Sequence, residues 1–362
     1  RKRRKQGYSP HKAFLPATRP TRRPFCKGGR SPLPPPPSLT TASQPSTTPT
    51  AVPRFGLTEP KLLLHFFAGR RRPGDLQHWL ELLSPNSGLW VLSLDIVLSR
   101  THGDLACQAN VTRWLSAMES GRILAVIAGP PCESWSVARH RTVAERTGRS
   151  RPRPLRTSIE PWGLTGIRLR EQLQVSMANT LLQTSLLFFA AALRLGVSMV
   201  LEHPMTPPWR DDTASIWRLP ELVRLASHPA ATKVSLHQCS CGAKSPKPTT
   251  LLCAHLPQVQ AEVALLPAGG ACPHPPGFHS ASIGLQARAG GGHDWATTSL
   301  KEYPSKMCQL LASAILTRWH WAIPDWQPST DLPDSYRDVY QPLDRYFDYE
   351  LGTDFAHQRR RR

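Results

Sequence analysis

Ile123-Leu124-Ala125-Val126-Ile127-Ala128-Gly129-Pro130-Pro131-Cys132-Glu133-Ser134-Trp135-Ser136 is the stretch that decides the fold. An unbroken apolar run closed by Gly-Pro-Pro has the length and punctuation of a strand buried on both faces. Strands of that kind belong to parallel sheets, and ligands of open α/β sheets sit beyond the strands' carboxyl ends. Pro130 and Pro131 stiffen the turn and hold Cys132 in a defined place. A cysteine there becomes a nucleophile when cations or a helix N-terminus favour its thiolate, and Arg139 and Arg141 are the near candidates. A lone cysteine is more often a small buried side chain. The rigid lead-in and polar neighbours argue for chemistry instead.

The flanking sequence repeats the pattern. Leu62–Phe67, Trp90–Ile96 and Val197–Leu201 read as further strands. Asp75–Leu83, Asn110–Met118, Leu169–Leu195 and Ala214–Ala226 carry apolar residues at helical spacing. Lys233–His237 is strand-like, with Thr249–Ala254 as its pairing partner, and Leu300–Trp321 reads as a closing helix. Alternating strands and helices predict an α/β fold, a mostly parallel sheet with helices on both faces.

The chain has 362 residues, with 45 Lys+Arg against 25 Asp+Glu and a net charge of +20. Its isoelectric point near 10.3 points to a polyanionic partner, most simply nucleic acid. Eight cysteines are too sparse for a disulfide scaffold and suit a reducing compartment. The longest purely apolar run, Leu186–Leu193, is too short to span a bilayer, and no apolar segment of a secretory signal follows the basic start. Residues 1–58 read as a disordered basic tail rich in Pro, Ser and Thr, and residues 326–362 as an acidic-aromatic tail ending in arginines. The opening run Arg1-Lys2-Arg3-Arg4-Lys5 reads as a nuclear address, a phosphate-binding arm or a solvated run of charge. An intracellular, nuclear protein is the expectation.

Pro131-Cys132-Glu133-Ser134-Trp135-Ser136 resembles the nucleophile motif of the cytosine-C5 DNA methyltransferases, with one additional residue before the aromatic. The resemblance runs unevenly over about residues 61–320. It implies a Rossmann-like methyltransferase fold over residues 59–325, with Cys132 as nucleophile. Val200-Leu201-Glu202-His203-Pro204 stands where the family has Glu-Asn-Val. That match implies Glu202 as the acid at cytosine N3. Phe67-Ala68-Gly69 resembles the turn that wraps S-adenosylmethionine, although Arg70-Arg71-Arg72-Pro73 replaces the family's Gly-Gly pair and suits a phosphate. Asp95 matches the residue that takes ribose hydroxyls, and Gly103-Asp104-Leu105 the element whose aspartate meets adenine. Pro130 completes the cofactor set.

For the partner, the resemblance implies DNA, or RNA. Ser136, Arg139, Arg141, Arg149, Arg151 and Arg153 lie on the polar stretch after the nucleophile, which runs on to Arg156 and suits phosphate tracking. The family's Gln-x-Arg-x-Arg motif is absent, and Lys247 in Lys247-Pro248-Thr249 is the substitute base contact. The target-recognition region falls in 256–299 and is short and loop-rich. Two rival expectations stand beside methyl transfer. One is a catalytically inactive nucleic-acid-binding protein of the same fold. The other is a zinc-stabilised adaptor of mobile-element origin built on Cys239, Cys241, Cys253 and His255. The Cys-x-Cys spacing of that set is tighter than structural zinc sites favour, so four unrelated strand and turn residues, and no metal, are expected.

Overall fold

A computed structural model of the chain describes residues 61–85, 89–140, 153–279, 285–287, 293–295 and 298–320. The two expected tails, Arg141, Arg149 and Arg151 lie outside the described residues. The elements run β1 (Lys61–Phe66), α1 (Leu76–Leu83), β2 (Leu89–Leu94), α2 (Gln108–Glu119), β3 (Ile123–Ala128), α3 (Leu169–Leu195), β4 (Ser198–Pro204), α4 (Pro220–Ala226), β5 (Ala231–His237), β6 (Pro248–Ala254), α5 (Gln258–Ala264), β7 (Leu285–Ala287), β8 (His293–Trp295) and α6 (Ser305–His320).

Six strands form one sheet in the order β2-β1-β3-β4-β6-β5, and β7 and β8 pair separately. The four strands β2, β1, β3 and β4 are parallel. β6 lies antiparallel to both β4 and β5, so the sheet is mixed. The β5–β6 hairpin is the pairing expected from the sequence. The chain winds from β1 outward to β2, then crosses back to β3 on the other side of β1. That reversal opens a crevice at the carboxyl ends of β1 and β3.

Side chains alternate across the sheet. Leu62, Leu64, Phe66, Val126, Ala128 and Leu201 join one core with α2, α3 and α4. Leu63, Ala125, Ile127, Val200, Leu251 and Cys253 join the other with α1, α5 and α6. Trp114 of α2 and Phe188 and Phe189 of α3 are fully buried, each worth roughly 1.5–3 kcal/mol of apolar transfer. α3, at 27 residues, is long and apolar enough to cross a membrane by length and composition, yet 56% of its most apolar window is buried inside the protein.

Several expected elements shift. β4 continues to Pro204, which puts Glu202 and His203 inside the strand, paired with Leu251 and Thr250. The helix expected over Ala214–Ala226 divides into a short 3-10 turn, Ile216–Arg218, and α4, because Pro220 at the first helical turn cannot continue the preceding ladder. Pro304 likewise sets the start of α6 at Ser305. Within 256–299, α5 places Val259 and Val263 in the core.

Candidate active site

Gly129 to Cys132 leave the carboxyl end of β3, and Glu202 lies in the last turns of the adjacent β4. Glu202 is buried, with 5% of its surface exposed. Two groups face its carboxylate. Tyr303 donates its hydroxyl to Oε2 at 3.2 Å. Lys247 places Nζ 3.6 Å from Oε1, an ion-pair distance that is too long for a hydrogen bond. Oε1 is otherwise buried without a hydrogen-bond partner. Burial and the neighbouring carboxylate hold the Tyr303 phenol well above its usual range, so it remains a donor.

Gly129 is required where it stands. A Cβ there would fall onto the Tyr303 hydroxyl and come within 3.3 Å of Glu202 Oε2. Lys247 adopts φ 26°, a left-handed conformation unusual outside glycine. Strain of this kind gathers at working sites. Here it delivers an ammonium from the β5–β6 turn.

Cys132 is half-buried. Burial pushes its thiol up to about 11, the Lys247 charge pulls it down, and Glu202 and Glu133 push it further up. Among the described residues the cation acting on the thiol is Lys247 and not Arg139, while Arg141 lies outside them. Arg139 instead donates to the Glu133 carbonyl at 2.7 Å, the Arg153 carbonyl at 3.1 Å and Gln174 at 3.4 Å. Arg153 pairs with Glu171 at 2.5 Å. Both guanidinia have protein partners, and the Arg153 side chain is 44% exposed. The Ser136 hydroxyl accepts from the Ala138 amide at 3.3 Å, which helps turn the chain after the motif.

Arg156 departs most from its expected role as a phosphate contact. It is 1% exposed. Its guanidinium lies 4.0 Å over the Trp135 ring. It donates to Ser134 Oγ at 3.1 Å, the Pro161 carbonyl at 2.8 Å, Asn179 Oδ1 at 2.7 Å and the Val175 carbonyl at 3.3 Å. Arg156 thereby fastens the Cys132–Trp135 turn to α3. His203 packs edge-on between Trp135 and Trp217. Burial, with help from Lys247 and Arg156, takes its imidazole down to about 3, so it is neutral. It points to the sheet face opposite Glu202. A cavity of about 30 Å³ beside it, lined by Trp135, Val137 and Pro204 among others, has room for roughly one water and no base.

The carboxyl ends of β1 and β2 form the second half of the crevice. Phe67, at φ 60°, and Gly69, at φ 69°, turn the chain sharply. Ala68 between them is half-buried, and Pro130 from the β3 loop is buried. Asp95 accepts from the amide of Gly69 on Oδ2 and from that of Val97 on Oδ1, both at 2.9 Å. Ile96 and Val97 beside it are more than half exposed. Gly103 packs on the Asp95 backbone so closely that a Cβ would overlap its carbonyl. Asp104 accepts from the Ala106 amide at 2.9 Å, and Asn110 holds the Asp104 carbonyl at 3.0 Å. Two of the three arginines of this turn are held by the protein itself. Arg71 pairs with Asp75 at 2.7 Å, and Arg72 reaches the Tyr303 carbonyl and Glu302.

The sequence-predicted Cys132, Glu202 and Lys247 thus meet at one site, with Phe67, Gly69, Asp95 and Asp104 along the same edge of the sheet. Tyr303 was missed. So was Lys301, whose Nζ meets Glu133 Oε1 at 2.6 Å and ties the segment before α6 over the Cys132 turn. The Lys-Glu-Tyr-Pro sequence before a closing helix was the available signal. Compared with protein-family models, with curated proteins and with solved structures, the chain matches none.

Proposed function

We propose that the protein transfers a methyl group from S-adenosylmethionine to cytosine C5 in DNA, or in RNA, on a Rossmann-like methyltransferase fold. The observation that carries the reading is the convergence of Cys132 and buried Glu202 at the ends of adjacent parallel strands, with Lys247 beside both. Cytosine C6 is a poor electrophile until N3 is protonated or strongly hydrogen-bonded. With the target base out of its stack, Cys132 Sγ bonds to C6 as its proton passes by way of water to the Glu202 carboxylate, which delivers it to N3. C5 becomes an enamine carbon, able to accept a methyl whose bond to the sulfonium would break and leave S-adenosylhomocysteine. Water then takes the C5 proton as the C6–Sγ bond breaks, and the N3 proton returns through Glu202 to the Cys132 thiolate. The Lys247 charge offsets the anion on either partner, and Tyr303 fixes the carboxyl orientation.

The crevice over β1 and β2 fits the nucleoside end of the cofactor. Asp95, aligned by two amides, suits ribose hydroxyls, and exposed Ile96 offers an apolar surface to adenine. The Gly103 backbone keeps Asp104 close by. S-Adenosylmethionine, when bound, supplies an electrophilic methyl group. A net charge of +20 suits a polynucleotide substrate.

One observation favours a catalytically inactive nucleic-acid-binding protein instead: Arg71 and Arg72 occupy the turn that would pass the methionine end. Calorimetry separates the two readings. The folded protein should bind S-adenosylmethionine, and Asp95→Ala should weaken binding by roughly 1.5–3 kcal/mol, about 10- to 150-fold. A folded protein that binds none supports the inactive reading. Unchanged affinity in Asp95→Ala moves the cofactor away from β2.

A further inference from the structure

We propose a structural zinc site formed by Cys239, Cys272, His274 and His279. Their ligating atoms all lie within 4.8 Å of one another. Cys272 Sγ stands 3.3 Å from His279 Nε2 and 3.8 Å from His274 Nδ1. Tetrahedral zinc with usual bond lengths separates sulfur and nitrogen ligands by about 3.6 Å, so these contacts close on an ion with little movement.

The surroundings prepare the ligands. His279 Nδ1 donates to the Lys244 carbonyl at 3.0 Å, which fixes the tautomer and leaves Nε2 as the lone-pair nitrogen facing Cys272. Phe278 stacks on the His274 ring at 4.2 Å and 10°, which sets its orientation. Pro275, Pro276 and Gly277, the last at φ 83°, make a tight turn closed by Phe278 N donating to the Pro275 carbonyl at 3.2 Å. That turn brings His274 and His279 edge-on, with ring centres 4.8 Å apart. Cys239 comes from the 3-10 turn after β5 and is buried, while the other three ligands are partly exposed.

Two thiolates and two imidazoles at tetrahedral spacing select zinc over hard cations. Four protein ligands leave no open position, so the ion would be structural. It would clip the 272–279 loop onto the β5–β6 turn at Cys239, eight residues before Lys247.

This set replaces the one read from spacing. Cys253 is fully buried in the sheet, paired with Val200 and Thr232, and His255 Nε2 contacts the Leu193 carbonyl at 2.9 Å.

The test uses the full chain without a histidine tag, purified under reducing conditions, with zinc measured by plasma mass spectrometry. One zinc per chain is expected. Cys272→Ser and His279→Ala should each lower it at least tenfold, and Cys107→Ser should leave it unchanged. Cobalt(II) titration of the wild-type protein should give the visible bands of a tetrahedral thiolate site, which keeps the test decisive where a variant fails to fold. Chelator should lower the melting temperature of the wild-type protein. Folded wild-type protein that takes up neither zinc nor cobalt, zinc retained by both ligand variants, or a Cys239–Cys272 disulfide in the reduced preparation overturns the proposal.

Discussion

Incubation with S-adenosylmethionine and an oligonucleotide containing 5-fluorocytosine is expected to leave a covalent complex that survives denaturant. Cys132 adds to C6, and methyl transfer follows. Fluorine at C5 cannot leave as a cation, so the elimination that frees Cys132 is blocked. Cys132→Ser should abolish the complex, because a serine hydroxyl is far less acidic than a thiol and stays protonated beside a carboxylate. Glu202→Gln should slow its formation by roughly 100- to 10,000-fold, since the thiol remains while N3 activation is lost. Trapping should accelerate as pH rises. Burial holds the Cys132 thiol near 11, above its ordinary value, so its thiolate fraction grows about tenfold per pH unit across the neutral range. Denaturing electrophoresis and peptide mapping read the result. An adduct at Cys107, the exposed cysteine among the described residues, would reassign the nucleophile.

Arg156→Ala is expected to be the most destabilising single arginine substitution among the described residues. It removes a cation–π contact and strands Ser134 Oγ, Asn179 Oδ1 and two carbonyls in a buried setting. One effect opposes this. Burial, then the Arg139 charge, takes the guanidinium down to about 10, so its removal also relieves a desolvation cost. The net loss should be on the order of 2–4 kcal/mol. At about 2–4 °C per kcal/mol for a domain of this size, melting falls by roughly 4–16 °C. Arg156→Lys should not restore it, because one ammonium cannot reach partners arranged for a planar fork. An unchanged melting temperature in Arg156→Ala contradicts the role given to this residue.

Arg156 also marks a limit of the sequence. Counted with Arg139 and Arg153, it read as one more charge on a solvated loop. Composition cannot distinguish an arginine stacked on Trp135 from one facing water. The strands and Cys132 were legible because buried parallel strands are continuous apolar runs, and Gly-Pro-Pro marks where one stops. Glu202 was legible as the acidic residue of the next strand, though not that the strand continues through it to Pro204. Tyr303 was not legible, since it reaches Glu202 across a hundred residues of sequence and only the packing of α6 brings it there. The cysteines were grouped by spacing along the hairpin. Cys239 finds its neighbours in a distant loop, and Cys253 turns into the sheet.

Methyl transfer itself is measured with radiolabelled S-adenosylmethionine on mixed DNA and RNA, followed by nucleoside analysis. Label is expected in 5-methylcytosine nucleosides with the wild-type protein and none with folded Cys132→Ser. Wild-type protein that is folded and binds S-adenosylmethionine, yet labels neither polynucleotide or labels both equally well without Cys132, contradicts the proposed reaction.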